Sequence, residues 1–422
     1  MGFLSSIFPL STFNFQLSTN HYQSVIFLEY LFYILTFLVF YSYIGYLLLL
    51  FVLVQLKNLF QKNRSSTVEN RNNDLPELTL VIPAYNEIDF IDLKMQNTLD
   101  LIYPKDKLKV IWITDGSDDG SEKYLMDKYV NANFNLKVEV HHQKERKGKS
   151  AAINRVMQFI HTPIVVFCDA NTLLNKECLI NVVSHFTNEK VGCVAGEKRV
   201  LNNNTNAGEG ESVYWKYESL LKKLSSDFHT CIGAVGELIA FRTELFEPIP
   251  EDTILDDFVI SMQIAHKGYK VVYEPNAYAQ ESPSENEQEE MKRKIRIASG
   301  SFQCIFNYPQ WLNFFQHPLL SWQYLSHKIS RWIIVPIALP LIFILNIYLF
   351  FEHPDEKIYA VLLFLQLCFY MLVIIQHFAS LPSKLFRIPY YIIMMNVAMY
   401  KGFFRYIFKQ QPAAWEKVKR KV

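Results

Sequence analysis

The sequence predicts an α/β domain with a mostly parallel sheet, flanked by transmembrane α-helices. Through the middle of the 422-residue chain, short apolar runs of strand length alternate with helix-compatible stretches, a pattern typical of a sheet covered on both faces. Apolar stretches that reach the ~20 residues needed to cross a bilayer lie towards both ends. A formal net charge of +1 argues against a protein dedicated to binding nucleic acid.

The first apolar stretch, residues 25–56, predicts a membrane anchor within an N-terminal segment of residues 1–60. No Lys or Arg precedes Lys57, so the basic region of a cleavable signal peptide is missing and we expect the anchor to be retained. The six cysteines are scattered, without a Cys-x-x-Cys pair. They indicate neither a zinc site nor a disulfide framework, and they are typical of buried apolar residues in a reducing compartment.

Two further apolar stretches, residues 332–351 and 358–380, predict a C-terminal membrane region over residues 332–422, which ends in a basic tail. The turn between them is acidic, whereas basic residues follow the first and third stretches. By the positive-inside rule, we expect residues 57–331 to lie in the cytoplasm of a multi-pass protein of the cell (inner, cytoplasmic) membrane. For residues 388–408, which combine apolar and basic residues, we expect an interfacial or re-entrant segment, with a fourth span as the alternative.

The α/β domain is predicted to cover residues 61–300, and amphipathic interface helices are predicted at residues 301–331. The predicted strands are residues 78–83, 110–114, 136–140 and 164–168. Each of these apolar runs is followed by a polar loop. In open α/β sheets, ligands bind at the carboxyl ends of the strands, so these loops are where we expect a functional site.

Polar residues stand where three of the strands end: Asn86 and Glu87 after the first, Asp115 after the second, and Asp169 and Asn171 after the fourth. Asp169 and Asn171 offer two oxygen ligands for a hard divalent cation such as Mg²⁺ or Mn²⁺. The alternative at that position is an Asx turn that caps the next helix. A turn with a helix cap is likewise the alternative for the loop that begins at Asp115.

Three charged clusters follow along the chain. Residues 144–149 hold four basic residues just before a predicted helix, which suits a diphosphate but is also typical of a solvated surface. Asp256 and Asp257 open another predicted helix, where they are either caps or the source of a general base. Arg293 and Arg296 belong to a dense cation cluster that would clamp a pyrophosphate or face anionic lipid headgroups.

Taken together and in order, these segments resemble the motifs of glycosyltransferase family 2, whose members have the GT-A fold and use nucleotide sugars. The segments are Val81–Glu87 (VIPAYNE), Thr114–Ser121 (TDGSDDGS), Gly148–Asn154 (GKSAAIN), Asp169–Asn171 (DAN) and Asp256–Asp257 (DD). The resemblance extends to the flanking membrane helices of a bacterial subgroup that includes poly-N-acetylglucosamine, hyaluronan and cellulose synthases. It implies a GT-A fold for the cytoplasmic domain.

The resemblance also implies roles on the donor side. Asn86 and Glu87 would lie near the nucleotide, Asp115 at the uracil ring, and Lys149 at the donor. The residues at the metal-binding D-x-D position are Asp169 and Asn171. Because an amide replaces the second carboxylate of that motif, we expect a bound divalent cation to be held loosely.

On the acceptor side, the resemblance selects Asp257 as the catalytic base and leaves Asp256 to orient the acceptor or cap the helix. Arg293 and Arg296 would contact the pyrophosphate or the acceptor. They stand where processive synthases have Q-x-x-R-W, a motif that is not present as such. A second near-match, Lys328-x-x-Arg-Trp, lies at the start of a predicted span.

The sequence therefore predicts a membrane-embedded inverting glycosyltransferase that moves a sugar from a nucleotide sugar, implied to be a UDP-sugar, to a glycan hydroxyl in cell-surface or exopolysaccharide synthesis. The expected partners are the donor, a glycan or lipid-linked acceptor and membrane lipids, but no nucleic acid. A homo-oligomer or an export partner is left open. The alternatives are transfer of a single sugar to a lipid-linked acceptor and an inactive module that binds sugar nucleotides.

Overall fold

A long apolar helix opens the part of the chain that the computed structural model describes, namely residues 10–61, 75–131, 135–200, 206–282, 284, 286–379, 381 and 383–412. Helix α1 (Leu10–Phe40) continues through a π-helical turn (Tyr41–Gly45) into α2 (Tyr46–Gln61). The hydroxyl groups of Tyr41 and Ser326 hydrogen-bond at 2.8 Å, which ties the turn to the C-terminal half of the chain.

A mixed β-sheet forms the middle of the protein. Its strands are β1 (Leu78–Ala84), β2 (Leu108–Asp115), β3 (Lys137–Gln143), β4 (Ile164–Phe167), β5 (Leu173–Leu174), β6 (Val191–Val200), β7 (Ile239–Arg242) and β8 (Lys270–Glu281). Their order in the sheet is β3-β2-β1-β4-β7-β6-β8-β5. The pairs β1–β2, β1–β4, β2–β3 and β6–β8 are parallel, and the pairs β4–β7, β6–β7 and β5–β8 are antiparallel.

Helices cover both faces of this sheet and link it to the C-terminal region. They are α3 (Ile88–Leu99), α4 (Ser121–Leu125), α5 (Lys149–Met157), α6 (Cys178–Ser184), α7 (Asn206–Phe228), α8 (Asp256–His266), α9 (Glu287–Asn307), α10 (Pro318–Tyr324), α11 (Val335–Glu352), α12 (Lys357–Ala379) and α13 (Lys384–Ile407). Leu80 and Ile82 of β1 share a buried cluster with Met95 of α3, whereas Val81 shares one with Ile153 of α5. Because both faces are buried, β1 is a continuous apolar run.

The prediction of an α/β domain is confirmed, with a difference in strand direction. The four strands predicted from the sequence are β1 to β4, which are parallel to one another, whereas β5 and β7 run antiparallel to their neighbours. These two strands have two and four residues, and strands this short show no recognisable apolar pattern.

Among the described residues, three helices are long and apolar enough to cross a membrane. They are His21–Phe60, Pro318–Glu352 and Lys357–Ala379. The second combines α10 and α11 through a π-helical turn at Leu325–Ile334. These helices overlap the stretches at residues 25–56, 332–351 and 358–380 on which the predicted domain boundaries depend.

Helix α13, which covers most of residues 388–408, is not among those three helices and packs along α9. Met399 of α13 shares a buried cluster with Ala298 and Phe302 of α9. The predicted domain boundary at residue 300 falls inside α9. The basic residues after the first span at positions 62, 64 and 71, and the tail residues at positions 417 and 419–421, lie outside the described residues.

The contact between α9 and α13 predicts that Gly402→Ala destabilises the protein. A methyl group at Gly402 would lie 2.4 Å from the Cβ atom of Ala298 and 2.8 Å from the backbone nitrogen of Ser299, so the helices would have to separate. We expect a loss of about 1–3 kcal/mol in the free energy of unfolding, measured by thermal unfolding in detergent. The matched control is Lys401→Ala, since that side chain is exposed. Equal stability of both variants would contradict the close contact.

Candidate active site

A cavity of about 1440 Å³ opens where the carboxyl ends of β1 and β4 face α8 and α9. At its sheet end it is lined by Glu87, Lys149, Asp169, Asn171, Glu237, Asp256, Asp257, Arg293 and Arg296. At its other end it is lined by residues of the first helix and of α13, among them Tyr43, Ile44, Ile392 and Asn396. The structure therefore brings most of the predicted site residues to one space that extends to the first of the long apolar helices.

Lys149 lies among the carboxylates of this cavity. Its Nζ atom donates a hydrogen bond to Oδ1 of Asp169 at 2.8 Å and lies 3.6 Å from Oδ2 of Asp256. Gly148, with φ of 98°, places Lys149 at the start of α5 in a conformation that favours glycine. Burial would lower the pKa of Lys149, but the carboxylates of Asp169, Asp256 and Asp257 raise it above its ordinary value, so the ammonium group stays charged.

Asp256 and Asp257 open α8 and face different neighbours. Asp256 faces Lys149, whereas the carboxylate of Asp257 lies beside Gly236, where a Cβ atom would come within 3.8 Å of Oδ2. Burial first, and then the negative charges of Asp256 and Glu237, raise the pKa of Asp257 to about 7. A carboxylate with a pKa near neutrality is suited to accept a proton at physiological pH.

Glu237, which sequence analysis did not select, supplies one of these negative charges. Its Oε1 atom lies 2.5 Å from Nζ of Lys198 on β6, and Lys198 also pairs with Glu281. Burial would raise the pKa of Glu237, but Lys198 lowers it to about 2. Glu237 therefore keeps its charge and acts on both Asp169 and Asp257.

The residues at the predicted metal position fit a divalent cation. Asp169 and Asn171 both line the cavity. Burial, with the charges of Glu237 and Asp256, raises the pKa of Asp169 despite the nearby Lys149, so negative charge is in excess there. No group of three or more His, Cys, Asp or Glu within ligand reach occurs among the described residues. The protein therefore offers an acid and an amide, and the remaining oxygen ligands would come from substrate or water.

Asp115 ends β2 and lines a small cleft beside the main cavity. Its Oδ2 atom accepts hydrogen bonds from the backbone nitrogens of Lys147 at 3.0 Å and Gly148 at 2.6 Å. Its Oδ1 atom is buried, lies 3.7 Å from Nη1 of Arg155, and accepts no hydrogen bond from any residue that the structure describes. Asp115 is therefore held in place by Oδ2, whereas the hydrogen-bonding capacity of Oδ1 is unused by the described residues.

Asn86 and Glu87 are adjacent but differ in environment. Asn86, with φ of 54°, joins two loops through two hydrogen bonds to Asp118. Its Oδ1 atom accepts one from the backbone nitrogen of Asp118 at 3.0 Å, and its Nδ2 atom donates the other to Oδ1 of Asp118 at 2.7 Å. Within the described chain Asn86 does not line the main cavity, whereas the buried Glu87 does. Asn86 thus positions the loop, and of the two only Glu87 faces the cavity.

Arg293 and Arg296 lie one turn apart on α9 and both line the cavity. Arg293 is paired with Glu290, with Nε 3.0 Å from Oε2, and its Nη1 atom lies 3.5 Å from Oε1 of Glu281. Arg296 donates a hydrogen bond from Nη2 to the carbonyl of Ile254 at 3.3 Å. Burial lowers the pKa of Arg296, yet a guanidinium group keeps its charge in proteins. Arg296 therefore brings positive charge to Asp256, Asp257 and Asp169.

A second ion cluster, which sequence analysis did not predict, lies towards the membrane helices. Both oxygens of the buried Glu218 on α7 are engaged: Oε1 lies 2.5 Å from Nζ of Lys328 and 3.0 Å from Nε2 of His327, and Oε2 lies 3.0 Å from Nη2 of Arg331. Burial would raise the pKa of Glu218, but Lys328 and Arg331 hold it well below its usual range. Lys328 and Arg331 of the near-match thus both line the cavity, and each is paired with Glu218.

A mixed sheet with acidic residues at its strand ends, beside long apolar helices, is consistent with the GT-A fold. Residues 79–249, which are less than half of the chain, match the family model described as Glycosyl transferase family 2. The fold is shared with a solved structure, the mannosyltransferase PcManGT from Pyrobaculum calidifontis in complex with GDP-Man and Mn²⁺. The TM-score is 0.64 at 20% sequence identity, and the match covers 88% of this chain and 99% of the mannosyltransferase chain. The predicted family and GT-A fold are confirmed.

Curated relatives match a little more than half of the chain. The poly-beta-1,6-N-acetyl-D-glucosamine synthase of Staphylococcus aureus (strain MSSA476) is 26% identical over 241 residues, which are 55% of this chain and 56% of that protein. The enzyme of the same name from Staphylococcus epidermidis is 24% identical over 251 residues, 58% of this chain and 59% of that protein. The matched region spans little more than half the length of these relatives.

Proposed function

We propose that the protein is a membrane-embedded, inverting glycosyltransferase that transfers a sugar from a UDP-sugar to a hydroxyl group of a glycan acceptor, in cell-surface or exopolysaccharide synthesis. The observation that carries this proposal is the carboxylate of Asp257, with a pKa of about 7, in a cavity shared by the strand ends and the membrane helices. The names of the staphylococcal relatives, synthases of an N-acetylglucosamine polymer, support a polysaccharide product.

In this proposal Asp257 accepts the proton of the acceptor hydroxyl, and the oxygen attacks the anomeric carbon from the face opposite the diphosphate. The bond between that carbon and the diphosphate oxygen breaks, the diphosphate leaves with the electron pair, and the configuration inverts. Asp256, which faces Lys149, orients the acceptor. Gly236 has no side chain to fill the space between Lys149 and Asp257, which leaves room for the reacting hydroxyl.

Donor binding in this proposal uses the cleft and the cations of the cavity. The unbonded Oδ1 atom of Asp115 is an acceptor for the N–H group of uracil, and Glu87 lies towards the ribose. Lys149 and Arg296 bring positive charge to the diphosphate, with Arg293 beside them. A divalent cation, Mg²⁺ or Mn²⁺, held by Asp169 and Asn171, supplies charge neutralisation at the leaving diphosphate; the presence of Mn²⁺ in the mannosyltransferase structure supports this assignment.

The alternatives to this function are a single-sugar transferase and an inactive binding module. Transfer of a single sugar to a lipid-linked acceptor is favoured by the continuation of the cavity to Tyr43 and Asn396 beside the membrane helices. An inactive module that binds sugar nucleotides is disfavoured, because a binding module has no use for a carboxylate such as Asp257 with a pKa near neutrality. A homo-oligomer or an export partner is compatible with either transferase.

Replacing the base should separate catalysis from donor binding. Because a positioned base contributes about 10²–10⁴ in rate, Asp257→Asn should lower UDP release by that factor and leave donor affinity unchanged. For the native protein, UDP release should fall about tenfold per pH unit below about 7, as Asp257 becomes protonated, and level off above it. The charged or titratable groups that act on Asp257 are Asp256, Lys149, Glu237, Arg296 and Cys304.

The measurement is UDP release by detergent-solubilised protein with a panel of UDP-sugars, over a pH series. Asp256→Asn should cost less than Asp257→Asn, and Asp227→Asn, which removes an acid from an exposed ion pair, serves as the control. An inactive Asp256→Asn with a near-normal Asp257→Asn would reverse the roles. Absence of UDP release with every sugar in the panel would overturn the proposed function.

The metal assignment predicts that a chelator abolishes UDP release and that Mn²⁺ or Mg²⁺ restores it. Asn171→Asp would add a second carboxylate to the site, so half-maximal UDP release should require about tenfold less Mn²⁺, because affinity follows the number of ligand charges. Asn131→Asp, at an exposed position, is the matched control and should leave the Mn²⁺ requirement unchanged. Full activity in chelator would mean that Lys149 and the arginines alone neutralise the diphosphate.

The three apolar helices support membrane association, and we propose that the protein is a multi-pass protein of the cell membrane with its α/β domain in the cytoplasm. A cysteine introduced at His353, between α11 and α12, should react with an impermeant maleimide from outside. A cysteine introduced at Gln410 should react only after permeabilisation. The background is Cys368→Ser, which removes the one partly exposed cysteine among the described residues. Reaction at position 410 from outside would establish a fourth crossing.

A further inference from the structure

The two ends of the cavity carry opposite charge. The acids of the sheet end are Asp169, Glu237, Asp256 and Asp257. At the membrane end the cavity is lined by the cations Lys222, Lys328 and Arg331 and by the acid Glu218, which pairs with Lys328 and Arg331. The chemistry proposed for sugar transfer uses only the sheet end, so the cations at the membrane end require a separate explanation.

Among the cations at the membrane end, Lys222 is the one whose position the described ion pairs do not explain. It lies on α7 one turn after Glu218, lines the cavity, and is only 4% exposed. Its Nζ atom has no hydrogen bond or ion pair with any residue that the structure describes, and its charge repels that of Lys328. Both oxygens of Glu218 are already engaged by other side chains. A lysine that is buried in a cavity wall and forms no ion pair with a described residue is unfavourable unless a counter-charge is supplied, so Lys222 points to a ligand that brings negative charge.

The charge and the walls of this end define the ligand. With His327 neutral, the three cations Lys222, Lys328 and Arg331 and the acid Glu218 give this end a net charge of +2. That charge matches a phosphate monoester, which carries between one and two negative charges at neutral pH. Beyond the cations, the first helix and α13 contribute apolar side chains together with the polar Tyr391, Asn396 and Arg405. The apolar residues include Ile44, Ile388, Ile392, Met395 and Met399.

We propose that Lys222, Lys328 and Arg331 bind the phosphate group of a lipid whose hydrocarbon chain lies against the apolar residues of α13. The phosphate would sit in the same cavity as Asp257, with the chain towards the membrane helices. This inference rests on the proposed function in one respect, since it takes the cavity that holds Asp257 to be the place where an acceptor carried by such a lipid would enter. The binding site itself is defined by charge and burial, independently of the sugar that is transferred.

The test compares adjacent lysines on α7. Lys222 is buried, whereas Lys223 is exposed in a surface ion pair with Asp227, so Lys222→Gln and Lys223→Gln remove the same charge from two environments. The full-length chain in dodecyl maltoside is titrated with decyl phosphate, with inorganic phosphate, and with decyl glucoside, which has the chain without the charge. Affinity is measured by calorimetry, and thermal unfolding without ligand is recorded for each variant.

We expect decyl phosphate to bind the native protein and the Lys223→Gln variant equally well, and inorganic phosphate and decyl glucoside to bind far more weakly. Lys222→Gln should weaken decyl phosphate binding about tenfold or more, the value of a charged hydrogen bond, and Lys222→Arg should restore most of it. Without ligand, Lys222→Gln should unfold at the same temperature as the native protein or a higher one, because it removes an unpaired buried charge.

Four outcomes would overturn the proposal: undiminished binding by Lys222→Gln, an equal loss in Lys223→Gln, inorganic phosphate binding as tightly as decyl phosphate, or a lowered unfolding temperature of Lys222→Gln without ligand. The third would assign the site to free phosphate, and the fourth would make Lys222 a structural residue. UDP release is measured separately. Loss of decyl phosphate binding with UDP release intact would remove this inference alone, whereas binding without UDP release would remove only the transferase proposal.

Discussion

The charge balance around the ammonium group of Lys149 is the constraint on which the rest of the site depends. Four carboxylates converge near the carboxyl ends of β1 and β4. Glu237 is paired with Lys198, and Lys149 lies within ion-pair distance of Asp169 and Asp256. Burial first, and then the negative charges of Asp256 and Glu237, raise the pKa of Asp257, so the property that would suit it to proton transfer arises from the whole cluster.

The position of each charged group follows from the path of the chain through the sheet. β1, β2 and β4 are parallel neighbours, so Asp115 and Asp169 emerge at one edge. The chain then passes through α7 and the antiparallel strand β7 before α8 carries Asp257 over that edge. Helix α7 supplies Glu218 and Lys222 on the way, which explains why a cavity that begins among acids ends among cations.

The sequence predicts those site residues whose position follows from neighbouring residues in the chain, and it misses those whose position depends on distant contacts. Asp115 and Asp169 directly follow apolar runs, so their place at the sheet edge follows from strand polarity. Glu237 has no such signal, because its role is set by Lys198, 39 residues away. Glu218 meets Lys328 across 110 residues, a contact that depends on how α7 crosses the π-helical turn before α11. In sequence, Lys222 is one of two adjacent lysines on a polar helix, and only tertiary packing distinguishes it from its neighbour.

Helix α9 joins two environments without interruption: Arg293 and Arg296 lie in its first half, and Ala298 and Phe302 contact α13 in its second half. Helix α13 in turn packs against the apolar helix α12. No loop separates these contacts from the arginines. Because α9 is one continuous helix, a sideways shift of α13 would move Arg293 and Arg296 with it. A change in the surroundings of the apolar helix α12 would thereby reach both arginines through two successive helix contacts.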